Sequence, residues 1–115
     1  MGGILRARRG DLFWADHGPV LGHEQGGRRP VLVLSHEVFN ASHGVAIVAS
    51  VTGKPPRGAF PLSHPLRSGG LSKPSWVQSW QIRTVSVHRI GRRIGRVDEA
   101  EVDRVVEGLM EIVGG

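Results

Sequence analysis

Apolar and polar residues alternate in short runs along most of this 115-residue chain. In Asp11-Leu12-Phe13-Trp14-Ala15-Asp16, the alternation puts Leu12, Trp14 and Asp16 on one side of a strand and Phe13 and Ala15 on the other. Val31-Leu32-Val33-Leu34 is continuously apolar, as a buried strand requires, and that run extends to residue 35. Further strand-like runs fall at 45–51, 59–62, 76–83 and 94–97, separated by glycine- and proline-rich turns such as Gly53-Lys54-Pro55-Pro56-Arg57-Gly58. Many short strands with tight turns predict a mainly β fold, closed into a small barrel.

Two segments break the period of two. Ser35 is placed to cap a short helical turn through Phe39, with Glu37 in its first turn and Asn40 or Gly44 to end it. At the C-terminal end, Asp98 and Glu101 form an N-terminal capping pair. After them Val102, Val105, Val106, Leu109, Met110 and Val113 recur at three- and four-residue intervals. This predicts an amphipathic helix over 98–113 that packs on the barrel with its acidic side outward.

The length suits one domain, 10–115, behind a flexible basic arm at 1–9, and a core modest enough for a second copy to bury what remains apolar. No cysteine is present, so disulfides and thiolate metal sites are excluded; no apolar run has the length of a membrane span or a signal-peptide core. The expectation is a soluble cytoplasmic homodimer. Its net charge of +5 is divided unequally, for Met1–Val97 carries +10 and the acidic tail Asp98–Gly115 carries −5. A body that basic attracts polyanions, nucleic acid above all, although the same charge also suits a solubilising surface.

The chemistry-bearing residues gather around Gly22-His23-Glu24-Gln25-Gly26-Gly27-Arg28-Arg29-Pro30, a glycine-rich loop between two strand-like runs. Arg29 precedes Pro30 and a buried strand, so its backbone is anchored while the loop before it can move over a ligand. An anchored guanidinium can hold two phosphate oxygens at once, yet Glu24 and Arg29 could equally form a surface ion pair of little energetic value. Thr52 ends the apolar run of 45–51, where its hydroxyl could donate to a phosphate or close a local turn with the backbone. Lys54 and Arg57 just beyond it could extend a basic groove.

Six histidines show none of the close pairings that make a metal site, and neither a metal nor another cofactor is expected. His23, beside Glu24 and titrating near neutrality, suits proton transfer or a solvated loop. Trp76 and Trp80, four residues apart in a strand, are predicted to share a face with Gln78 and Ile82. Core packing suits Trp76; Trp80, flanked by Ser79 and Gln81 and close to Arg83, better suits stacking on an unpaired base.

GDLFWAD, then GHEQGGRRPVLVLS, an apolar strand ending in Thr52, a GGL, QIRTVSVHRI, RIGRV and a terminal helix together resemble the MazF/PemK toxin family from Gly10 to Val113. The resemblance implies a homodimeric SH3-like barrel of the CcdB/MazF type. Its implied activity is sequence-specific, metal-independent cleavage of single-stranded RNA, including mRNA, with neutralisation by a cognate acidic MazE-like antitoxin. Arg29 and Thr52 match the family's catalytic pair and Glu24 a position implicated in activity, while Gln81 and Arg83 match its substrate-groove segment. Arg28, Lys54, Arg57 and Trp80 are further RNA-binding candidates, with Trp80 standing where many relatives carry an aspartate. A gyrase-binding toxin on the same barrel resembles its own kind in a terminal Trp-Gly-Ile, whereas this chain ends Ile112-Val113-Gly114-Gly115; a catalytically idle RNA-binding barrel is the other alternative.

Overall fold

The computed structural model describes residues 7–16 and 28–114. Six strands and two helices follow in the order β1 (Asp11–Asp16), β2 (Arg28–Val33), α1 (Glu37–His43), β3 (Val45–Thr52), β4 (Ser63–Pro65), β5 (Trp76–Ser86), β6 (Ile90–Arg96) and α2 (Glu99–Val113), with a 3-10 turn at Val87–Arg89. All strand pairs are antiparallel, in the order β4-β5-β3-β2-β1-β6. The mainly β fold expected from the alternation is what forms.

Period-two alternation gives the sheet an apolar surface on each side. Leu12, Leu32, Ala49, Val51 and Val77 share one cluster with Leu34 and Val97, and α2 seals it with Val102 and Val105. Phe13, Ala15, Val31, Val33, Ala46, Val48, Val85 and Ile90 form the cluster on the other side, with Ala7 packed among them. The sheet curls around the first cluster until the segment after β4 meets β6. A Cβ on Gly95 would lie 2.0 Å from the Gly69 carbonyl oxygen, and one on Gly69, at φ +110°, would meet Leu12 and Val97. Backbone therefore touches backbone at this seam, which only residues without a Cβ allow.

Asp11 fastens the start of β1. Its buried carboxylate accepts from the Arg8 amide (2.9 Å), Arg93 Nε (3.2 Å) and Arg96 Nη1 (3.0 Å), tying the basic arm and β6 to one point. The end of that arm joins the packed domain: Ala7 is buried, and Arg9 pairs with Asp103 of α2 at 2.6 Å.

Several boundaries differ from the sequence expectation. The strand placed at 59–62 forms instead at Ser63–Pro65, because the preceding residues turn, with the Leu62 and Ser63 amides both donating to the Ala59 carbonyl. Helix α1 begins at Glu37 with His36 as its cap residue, and Gly44 at φ +67° ends it. Ser35 makes no helix cap. Its hydroxyl donates to Asn40 Oδ1 and accepts from the Ile47 amide at 2.8 Å, which locks α1 to β3.

Asp98 precedes α2 but makes no side-chain cap bond, and Glu101 turns away to the segment after β4. The expected capping pair is therefore absent, because long-range donors take the Glu101 carboxylate. Acidic Glu99, Asp103, Glu107 and Glu111 do face outward; Met110 and Val113, the last residues of the apolar stripe, are exposed as well.

Candidate active site

Arg29 stands on β2 opposite Ala15 of β1. The β2–β3 ladder runs from Val33–Val48 to Val31–Ser50; Arg29 and Thr52, the last residue of β3, each lie two residues past that last pair, at the same parity. Thr52 in turn pairs with Trp76 of β5, and Ser50 with Gln78. Side chains two residues apart share a face, so Arg29, Ser50, Thr52, Trp76 and Gln78 occupy one end of the sheet face whose other end is the Phe13–Val31–Val48 cluster. Four adjacent strand positions thus become polar just where an apolar face runs out.

Arg29 is exposed, and among the described residues no hydrogen bond or ion pair engages its guanidinium. Thr52 is half-buried, and its Oγ1 accepts from the Lys54 amide at 3.1 Å. This is the local turn bond the sequence allowed as one reading of Thr52. The bond occupies an oxygen lone pair, which leaves the hydroxyl proton available to a phosphate. The turn directs the chain into the loop carrying Lys54 and Arg57, both exposed.

Arg28 takes another direction. Its guanidinium crosses β1 to β6, where a Cβ on Gly91 would lie 2.4 Å from its Nη1 and 3.0 Å from the Trp14 carbonyl oxygen. Adjacent arginines thereby serve opposite faces of β2. Arg29 is placed with Thr52, whereas Arg28 lies across the far strand.

The tryptophan prediction is corrected by a bulge. Between Ser50–Gln78 and Ala49–Ile82 the β3–β5 register jumps, so Ser79, Trp80 and Gln81 oppose nothing on β3. Gln78 keeps the face of Thr52 and Trp76, but Ile82 moves to the opposite face and packs against the inner cluster. Ser79 is buried beside Gly108 of α2, and Trp80 remains 52% exposed. Trp80, Gln78, Pro56, Arg57, Gly58 and Leu62 line a groove of about 390 Å³. Gln81 is half-buried within the bulge, and Arg83, opposite Val48, is half-buried further along the face of Arg29.

Sequence reasoning missed Ser50 and the place of Gln78 on the polar face. For Ser50 a signal existed: it is the one hydroxyl inside the run of 45–51, at the same parity as Thr52. Glu24 and His23 lie outside the described residues. Among the described residues, no group of three or more acidic, histidine or cysteine side chains is gathered to hold a metal, and no helix is long and apolar enough to cross a membrane.

A second polar cluster serves the fold. Glu101 accepts from His64 Nε2 (2.7 Å), the Arg67 amide (2.9 Å) and the Ser68 hydroxyl. Burial pushes the Glu101 carboxyl up, but those three donors together with the His64 charge outweigh it and hold the group below its ordinary 4.5.

Fold and face together define a small basic β-barrel with an arginine–threonine end beside an aromatic groove. Residues 8–113 match the family described as PemK-like, MazF-like toxin of type II toxin-antitoxin system. Endoribonuclease EndoA of Bacillus subtilis (strain 168) is 36% identical over 104 residues, which span 89% of this chain and 90% of that protein. Among solved structures, MazF from Deinococcus radiodurans superposes with a TM-score of 0.78 at 27% identity, covering 95% of this chain and 97% of that one. The MazE–MazF complex of the same organism gives 0.79 at 28%, covering 95% and 96%. The chain belongs to the PemK-like, MazF-like toxin family.

Proposed function

We propose that this protein is an endoribonuclease toxin that cuts single-stranded RNA, mRNA included, at particular sequences and without a metal ion. The observation that carries the reading is that exposed Arg29 and half-buried Thr52 lie at one end of the same sheet face, each two residues past the Val31–Ser50 pair, with Gln78 of that face lining the Trp80 groove. Membership of a toxin family and 36% identity to a named endoribonuclease support it.

The chemistry needs no external nucleophile. The ribose O2′ attacks its neighbouring phosphorus, the O2′–P bond forms as P–O5′ breaks, and the products are a 2′,3′-cyclic phosphate, or the 3′-phosphate after hydrolysis, and a 5′-hydroxyl. Arg29 clamps the phosphate oxygens with a planar fork that stays charged at any physiological pH, and Thr52 adds a neutral donor as charge builds on the phosphorane. Glu24 is the base that takes the 2′ proton, with His23 in reserve, and the departing O5′ regains a proton from solvent or from a donor at the site. DNA escapes because it lacks the attacking hydroxyl.

Around this centre Trp80 stacks on a splayed base, Gln81 reads a base edge, and Arg28, Lys54, Arg57 and Arg83 contact phosphates on either side. An acidic MazE-like antitoxin segment competes for the +10 body. The chain acts in the cytoplasm as a homodimer, with a second copy covering exposed apolar residues such as Met110 and Val113.

Purified protein incubated with a long single-stranded RNA in excess EDTA tests the reading beside Arg29→Ala and Thr52→Val. Cleavage by the wild type and its loss in both variants is expected. Intact RNA in the wild-type lane would rule out the nuclease and leave a non-enzymatic toxin, and cleavage surviving both substitutions would move the active site elsewhere. Mapping the ends then reads out the recognition sequence.

A further inference from the structure

The polar end of the sheet holds a hydroxyl that the structure leaves unused. Ser50 keeps 9% of its surface, and among the described residues its Oγ is the one buried side-chain polar atom without a hydrogen-bond partner. Burying a hydroxyl without a partner costs stability, and an alanine would fill the position without that cost, as Ala46 does four residues back on the same face. An unsatisfied buried group of this kind calls for a role, a catalytic one among them.

The neighbours of Ser50 narrow that partner. Directly opposite on β2 is Val31, which offers no polar atom, and opposite on β5 is Gln78. Arg29 stands at the diagonal cross-strand position, about 7–8 Å away between Cα atoms and within reach of a long side chain. Thr52 follows two residues along the same strand. The hydroxyl therefore shares a sheet face with Arg29 and Thr52 of the proposed cleavage site.

Building on the nuclease reading, we propose that Ser50 is a positioning residue: its buried Oγ accepts one N–H of Arg29 when RNA seats, aiming the remaining donors of the fork at the phosphate. In the RNA-free protein Arg29 is solvated and gains little by reaching down. Once RNA excludes water, the same bond strengthens in the lower dielectric and fixes the guanidinium in the orientation the transition state needs. Ser50 thus contributes to kcat and not to stability.

The test compares kcat, KM and thermal midpoint for wild type, Ser50→Ala and Ser50→Cys, the last keeping the volume while weakening the acceptor. Both variants are expected to hold or raise the thermal midpoint while losing about tenfold in kcat, the order that one charge-assisted hydrogen bond supports, with KM within about twofold. In an Arg29→Lys background the same substitutions should cost far less, since the fork they orient is gone. Wild-type kcat in Ser50→Ala overturns the proposal, as does a joint fall of kcat and thermal midpoint or full additivity with Arg29→Lys. A wild-type protein that leaves RNA uncut overturns this role and the nuclease reading together.

Discussion

His64 Nε2 lies 2.7 Å from Glu101 Oε1, joining β4 to the first turn of α2 through two side chains that are each more than four-fifths buried. Glu101 also takes the Arg67 amide and the Ser68 hydroxyl, and the Ser68 hydroxyl accepts from the Asp98 amide at 2.9 Å. One carboxylate thus holds the segment that closes the barrel and, through Ser68, caps an amide at the start of α2.

Glu101→Gln is expected to destabilise the fold by about 2–3 kcal/mol, since it weakens charge-assisted bonds in a buried site. The sign of the pH dependence follows from the depressed carboxyl. Its folded-state pKa lies below the ordinary 4.5, so the stabilisation is fully present above pH 4.5 and fades as the pH falls through the lowered value. Urea unfolding of both proteins from pH 7 down to pH 3 checks this: the gap should persist to about pH 4.5 and narrow only below it. A gap that narrows already between pH 7 and 5 would point to a different group.

The seam predicts a sharp contrast between two glycines. A Cβ at Gly95 would sit 2.0 Å from the Gly69 carbonyl oxygen and 2.9 Å from its carbonyl carbon, both backbone atoms that cannot rotate aside. Gly95→Ala should cost about 3 kcal/mol or more by prising β6 from the loop after β4. Gly53→Ala is the control, for nothing lies within 4 Å of its Cβ position, and it should change stability by less than about 1 kcal/mol. Chemical denaturation of the two variants decides the point; equal midpoints would mean that the barrel is not closed at this seam.

Alternation and helical spacing in the sequence were sufficient for β1, β3 and α2, because Leu12, Phe13, Ala15, Val102 and Val105 are sorted by burial alone. They also lead to Arg29 and Thr52, which antiparallel β2 and β3 carry to the same end of one face. What stayed hidden was long-range. The bulge at Ser79–Gln81 is invisible to a period of two, which puts Ile82 on the wrong face, and local spacing makes Glu101 a capping residue because it cannot show His64 and Ser68, more than thirty residues away, competing for the carboxylate. Asp11 reads as a strand-edge charge until Arg93 and Arg96 arrive from β6.

Trp80 is expected to matter for RNA and little for folding. It is 52% exposed at the rim of the groove with Arg57 and Gln78, so Trp80→Ala should shift the thermal midpoint only slightly. Losing one stacked base costs about 1–3 kcal/mol, which corresponds to roughly a 5- to 150-fold rise in Kd for a single-stranded oligonucleotide carrying the mapped cut site with a 2′-deoxy block. Trp80→Phe should recover most of that affinity. Fluorescence anisotropy reads both, and unchanged binding by Trp80→Ala would remove the stacking role.

Arg28 and Arg29 offer the cleanest separation of charge from geometry, because one step along β2 sends their side chains to different faces. Replacing either by lysine preserves the charge, so a purely electrostatic attraction of RNA would respond equally weakly to both. If Arg29 works as a planar clamp at the end of the face it shares with Thr52, Arg29→Lys loses the two-pronged contact and kcat should fall about 100-fold with its salt dependence unchanged. Arg28 reaches toward Gly91, and if it meets RNA there as a charge on a phosphate, Arg28→Lys should leave kcat within about threefold. Arg28→Ala should instead raise KM and flatten its dependence on salt by about one phosphate contact. Steady-state cleavage at several ionic strengths distinguishes these patterns, and equal losses of kcat in the two lysine variants would show that the register across β2 and β3 does not select the catalytic arginine.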